Sequence, residues 1–217
     1  MDQAHVQYGR NHSCWQRLAL SVSVGIVLCA GSPWRSRAAA DGPSVVVQET
    51  ADAVVAVLAD KSLSTEQKRA KIEQIVYAHF DFTTLSRLVL ARNWKQLSPA
   101  QQHDFVEEFK RHLSVTYGRN VESYHDERAV ITGDRQESGG DWTVKTKIVR
   151  SGAADILVDY RLRKQDDTWQ VIDVIIEGVS LVANFRAQFQ EILTSSNPDH
   201  LIQLLREKNA KGEPLKS

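Results

Sequence analysis

Cysteine is almost missing from this chain of 217 residues: Cys14 and Cys29 are the two, and both lie in the first forty positions. From residue 41 onward there is none. That excludes disulfides, thiolate metal sites and a cysteine nucleophile in that stretch. An excess of either charge is missing too. Lys plus Arg number 27, as do Asp plus Glu. A protein that neutralises phosphates along a nucleic acid needs a basic surplus, so no nucleic-acid partner is expected. No apolar run reaches the ~20 residues of a comfortable bilayer span. There is no Walker loop and no GxGxxG, no internal repeat and no Pro/Gly-rich linker, so one domain is the simplest reading.

What is present begins with a distinct front segment. Arg10 and Arg17 precede LALSVSVGIVLCAG (18–31), and SPWRSRAAADG follows, with Ala38 and Ala40 in an A-x-A arrangement. A charged start, a short apolar centre and a small-residue exit make a secretory signal peptide. Cleavage is expected after Ala40, with export to a bacterial periplasm; a retained anchor is the alternative. Leu28, before Cys29, is larger than a lipoprotein signal wants. The remainder, 41–217, is slightly acidic and long enough for one domain with its own core.

Its first half has helical periodicity. Val47, Ala51, Val54, Val55 and Leu58 recur at helical spacing. Ser64 with Gln67 three residues on predicts a capping box, followed by an apolar face of Ile72, Ile75, Val76 and Phe80. Asp81 caps a segment carrying Phe82, Leu85, Leu88 and Val89 on one face. Ser98, Pro99 and Gln101 predict the next start. From there Phe105, Phe109, Leu113, Tyr117, Val121 and Tyr124 form one long stripe.

After about residue 127 the period changes to two. Four strands are expected, at 129–133, 142–148, 156–163 and 169–177, joined by the turn chemistry of GDRQESGGD and SGA. Short connections force antiparallel pairing. On the last strand Val171 and Ile175 would share one face, and Ile172, Val174 and Ile176 the other. Gly178 would allow a tight exit into a helix at 178–195. A final helix at 197–209 would be capped by Asn197-Pro198. The expected class is α+β: a four-stranded antiparallel curved sheet with helices packed on one face.

Reactive groups are scarce. Ser180 in GVSLV has the first glycine of a nucleophile elbow but lacks the second, and a capping role fits it better. The five histidines after residue 41 (His79, His103, His112, His125, His200) show no metal-ligand spacing. Asp159, Asp173 and Glu177 could converge as acid and base, although ion pairs with Arg161 and Arg163 explain them as well. Apolar stripes, in contrast, come from nearly every element, and many of their residues are long or aromatic. They can be a filled core or the walls of a cavity.

Two stretches carry a family resemblance: FDFTTLSRLVLARNWKQLSPAQQHDFVEEFKRHLSVTYG (80–118) and DYRLRKQDDTWQVIDVIIEGVSLVANFRAQFQEIL (159–193). They resemble the MlaC family, over about residues 45–210. This is the phospholipid-binding component of the Mla pathway, also known as toluene-tolerance or auxiliary ABC-transport proteins. The resemblance implies a soluble periplasmic phospholipid carrier that performs no covalent chemistry and has no cofactor. It would shuttle lipid between an outer-membrane lipoprotein–porin complex and an inner-membrane MCE-type ABC complex, maintaining outer-membrane lipid asymmetry. Acyl chains would enter an apolar cavity between sheet and helices. Family members often have glycine where this chain has Ala91, and no functional consequence is expected.

The expected cavity residues are Phe82, Leu85, Val89, Phe109, Leu113, Tyr117, Val121, Val144, Ile148, Val158, Tyr160, Val174, Ile176, Val182, Phe185 and Phe189. Arg92 and Arg186 are placed at a headgroup mouth. Three alternatives stand beside this reading. They are a carrier of another lipid such as a hopanoid, an enzyme with an isomerase-like pocket, and a structural adaptor with a filled core.

Overall fold

Local chemistry sets the helix starts. In the computed structural model, which describes residues 42–118 and 126–215, α1 (Pro43–Ala59) opens with proline at its first position. The oxygen of Ser64 accepts from the Gln67 amide, and the Gln67 side chain accepts from Ser64 N, closing the capping box of α2 (Thr65–His79). Asp81 caps α3 (Phe82–Leu90) by accepting from Thr84 N at 2.8 Å. A 3₁₀ segment, Ala91–Gln96, follows, and Ser98 and Gln101 repeat the capping box at α4 (Pro99–Tyr117). Asn197 caps α6 (Pro198–Lys211) behind α5 (Leu181–Ser195). The signal segment and its cleavage site lie outside the described residues, as do Val121 and Tyr124. The stripe's helix ends at Tyr117.

The architecture is the expected α+β one, with five strands instead of four. β1 (Arg128–Gln136), β2 (Trp142–Val149), β3 (Ile156–Gln165), β4 (Thr168–Ile176) and β5 (Val179–Ser180) form one antiparallel sheet in that order. The fifth strand is made possible by Glu177 and Gly178, at φ 49° and 81°. Positive φ at both central residues is what a primed two-residue hairpin turn needs. So Gly178 does not lead directly into the helix. It turns the chain into β5, and α5 starts at Leu181.

A second difference lies inside β4. Arg161 pairs with Asp173 but Leu162 pairs with Val171, so Ile172 is an extra, bulged residue. The bulge shifts the alternation by one. Val171 therefore packs with Val174 and Ile176 in the same cluster, rather than opposite them. β1 is bulged as well, between Ile131 and Gly133. Bulges increase local twist and bend a strand.

Two cores result. One is all helical: Phe105, Phe109, Phe185 and Phe189 pack ring against ring with centroids 5.1–5.6 Å apart, with Leu85, Val89, Leu201 and Leu205 around them. The other joins Val47 of α1 to Val144, Val158, Leu162, Val171 and Val174 of the sheet. Phe80 and Leu181 pack against both. Asp173 fixes α5 to β4: its oxygens accept from Ser180 Oγ at 2.6 Å and from Val182 N at 3.0 Å. The described residues fall within one compact unit, 38–217. No described helix is long and apolar enough to cross a membrane.

Candidate functional site: an apolar cavity between two cores

Where the two cores diverge, the interior is not filled. Two adjoining chambers occupy the space under α1 and α2. The first, about 430 Å³, is walled by Val47, Thr50, Ala51, Val54, Val55 and Leu58 of α1 and by Arg128, Ala129 and Val171. The second, about 380 Å³, lies between α2, the C-terminal half of α4 and the ends of β3 and β4. Its walls include Tyr77, Phe82, Leu113, Ser114, Val158, Val174, Ile176 and Leu181. Ile72, Val76, Phe80, Tyr117, Ile148 and Tyr160 line both. Volumes of 300–1,000 Å³ lined mainly by apolar side chains are typical of ligand sites.

α4 shows how one stripe serves two purposes. Phe105 and Phe109 are fully buried in the helical core. One turn beyond Phe109 Leu113 is half-buried, two turns beyond it Tyr117 is 40 % exposed, and both face the cavity. Of the six shared residues, Tyr117 and Tyr160 are the ones with a polar side-chain atom. Burial raises both phenols above their ordinary value, so they stay neutral. Tyr77 OH and Ser114 Oγ meet at 2.8 Å and tie α2 to α4 across the second chamber.

Of the expected cavity residues, Phe82, Leu113, Tyr117, Ile148, Val158, Tyr160, Val174 and Ile176 do line these chambers. The other described ones sit elsewhere. Leu85, Val89, Phe109, Val182, Phe185 and Phe189 belong to the packed helical core, and Val144 to the sheet core. All of them are buried among packed neighbours and line neither chamber. Arg92 and Arg186 do come together, but in a separate pocket of about 250 Å³ with Val89, Ala91, Asn93, Phe189 and Gln190. Arg186 Nε donates there to Leu88 O at 2.9 Å. That pocket shares no lining residue with the chambers, so these two arginines are not at the cavity's mouth.

The α1 and α2 walls were the omission. Their signal was in the sequence as ordinary helical stripes; α1 buries Val47, while its other apolar residues stay partly exposed over the cavity.

The carboxylates weighed as acid and base do not converge. Asp173 caps α5, Glu177 Oε1 accepts from Leu157 N at 2.6 Å, and neither they nor Asp159 line a chamber. Arg161 and Arg163 pair with Asp141 instead, at 2.6 and 2.7 Å. Burial would raise the Asp141 carboxyl, but the hydrogen bonds and charges of Arg163 and Arg161 together hold it below its ordinary value. Ser180 Oγ accepts from Ala183 N as a helix cap. No described histidine lines either chamber, and no group of three His, Cys, Asp or Glu is placed to hold a metal among the described residues.

Comparison with known proteins gives consistent matches. A family model described as MlaC protein matches residues 48–207. The toluene tolerance protein ttg2D of Pseudomonas putida is 25 % identical over 182 residues, 80 % of this chain and 83 % of that protein. The intermembrane phospholipid transport system binding protein MlaC of Haemophilus influenzae is 22 % identical over 191 residues, 83 % of this chain and 88 % of that one. A solved structure of a phospholipid-binding protein from Ralstonia solanacearum, in complex with a phospholipid, shares the fold. Its TM-score is 0.70 at 24 % identity, covering 78 % of this chain and 97 % of the other.

Proposed function

Because the chain belongs to the MlaC family, we propose that it is a periplasmic carrier that takes up one diacyl phospholipid and performs no covalent chemistry on it. Export by a cleaved signal peptide, residues 1–40, and a single carrier domain, 41–217, are part of this reading. So is a shuttle between an outer-membrane lipoprotein–porin complex and an inner-membrane MCE-type ABC complex, in the service of lipid asymmetry. The observation that carries the proposal is the pair of apolar chambers meeting at one shared wall. Relatives named for phospholipid binding and transport support the choice of cargo.

Energetics favours such a container. Each buried methylene is worth about 0.8 kcal/mol, so two chains of roughly fifteen carbons represent about 25 kcal/mol of gross transfer. A carrier must offer an environment close to that of the bilayer. A weaker one would never load, and a much stronger one would never release. Val, Ile, Leu and aromatic side chains, which make up most of the walls, meet this requirement.

The test is native mass spectrometry with lipid extraction on signal-free protein purified from the periplasm without detergent. A bound mass of one diacyl phospholipid is expected. A clean apo mass, unchanged after incubation with liposomes, would overturn the carrier reading in favour of an adaptor.

A further inference from the structure

The second chamber has a charged end that an apolar container does not need. Arg69 and Glu73 line it from one face of α2, and Lys110 reaches it from α4. The Lys110 ammonium stands 4.1 Å from the centroid of the Tyr77 ring and 5.9 Å from that of Phe82. Both rings are walls of the same chamber, and the Tyr77 hydroxyl is held by Ser114. The platform under the ammonium is therefore fixed. Its carboxylate neighbour, Glu107 Oε2, is 3.8 Å away and 55 % exposed. Loose surface pairs of this kind contribute at most ~1 kcal/mol. An ammonium has three N–H donors, and neither the ring faces nor this long contact uses them well. Arg69 and Glu73 of α2 line the same chamber, and Glu107 stands on the exposed side of Lys110.

We propose that Lys110 reads the headgroup: its ammonium, seated on Tyr77, binds the phosphate of an amphiphile whose acyl chains fill the chamber behind it. The inference rests on the carrier reading and adds a selectivity to it. An apolar cavity alone does not distinguish a phospholipid from a diacylglycerol of the same chains. A cation fixed at the rim does, because the phosphate must otherwise leave its hydration for an unpaired position.

The experiment measures, by native mass spectrometry in competition, the affinity of the delipidated full-length mature chain for phosphatidylglycerol and for diacylglycerol of identical chains. Wild type is expected to prefer phosphatidylglycerol. Lys110→Gln, which keeps part of the stem over Tyr77, is expected to lose about tenfold in affinity for phosphatidylglycerol and none for diacylglycerol. Lys110→Arg keeps the preference. Glu107→Gln, which removes the competing carboxylate, strengthens it. Should Lys110→Gln fold poorly, the wild-type preference is measured against salt, and it must shrink as ionic strength rises. Equal loss of both lipids in Lys110→Gln, no loss of either, or a preference insensitive to salt would overturn this inference alone. Failure of wild type to take up either lipid would sink the carrier reading itself, and the inference with it.

Discussion

Ala91 is a residue whose identity and conformation disagree. It opens the 3₁₀ segment at φ 48°, directly after α3, where an L side chain is strained by ~1–3 kcal/mol. Glycine has no Cβ to clash and fits without that strain. Ala91→Gly is therefore expected to stabilise the fold by about 1 kcal/mol, after the larger entropy loss of glycine, and to raise Tm by about 2–4 °C. A calorimetric scan showing no rise would mean that the strain is relieved elsewhere. His112 is a second case. It is fully buried, with Nδ1 3.0 Å from Asn209 Oδ1 and Nε2 accepting from Leu215 N at 3.3 Å. Burial lowers its pKa below the ordinary 6.5; the Asn209 hydrogen bond opposes this and the Lys208 charge adds to it. The folded state thus holds a neutral imidazole that the unfolded chain would protonate. The sign follows: stability is full above about pH 6.5 and is lost as pH falls below it. Tm should drop as pH falls below about 6.5, and His112→Gln, whose amide can make both contacts, should flatten that drop. An equal drop in the variant would assign the acid sensitivity to other groups.

At the scale of elements, α4 and β3 separate packing from lining. Phe109 and Tyr117 stand on the same stripe two turns apart, yet one is in the helical core and the other at the cavity wall. Phe109→Ala is expected to cost about 3–5 kcal/mol in urea unfolding, the value for a lost core ring. Tyr117→Ala should cost roughly 1 kcal/mol, because a partly exposed side chain gives up less buried area. Comparable losses would mean that Tyr117 is core. On β3, Val158 faces the second chamber. Val158→Trp should obstruct it, abolishing co-purified lipid while leaving a cooperative melt; unchanged lipid would remove Val158 from the cavity wall. These elements also show how much the sequence reveals. Ser64, Asp81, Ser98 and Asn197 announced their helices correctly because capping is decided within four residues. The division of the α4 stripe was not legible, since Phe109 and Tyr117 differ in neighbours that come from α5 and α2. Nor was the position of Val171, because the Ile172 bulge depends on pairing with β3. The α1 wall was hidden for the same reason. A stripe over a cavity and a stripe over a core have one periodicity.

At the scale of the molecule, the cavity lies between two clusters that Phe80 and Leu181 join. A ligand placed there bridges both. Binding to the folded state alone stabilises by about 2.7 kcal/mol at a hundredfold excess over Kd. For a chain of this length that is roughly 5–10 °C in Tm. Delipidated protein should melt lower by that amount and regain it on reloading from liposomes. Identical melting curves before and after extraction would mean that no cargo bridges the clusters.

The shared wall of Ile72, Val76, Phe80 and Ile148 has a calorimetric consequence. When the chambers hold no lipid, water reaches apolar surface that is already inside the folded chain. Unfolding then wets less new hydrocarbon, and the heat-capacity increment that scales with it is smaller. Loading a lipid dries the same wall and restores the increment. One sequence therefore has two stability curves, a flatter one when unloaded and a more sharply domed one when loaded.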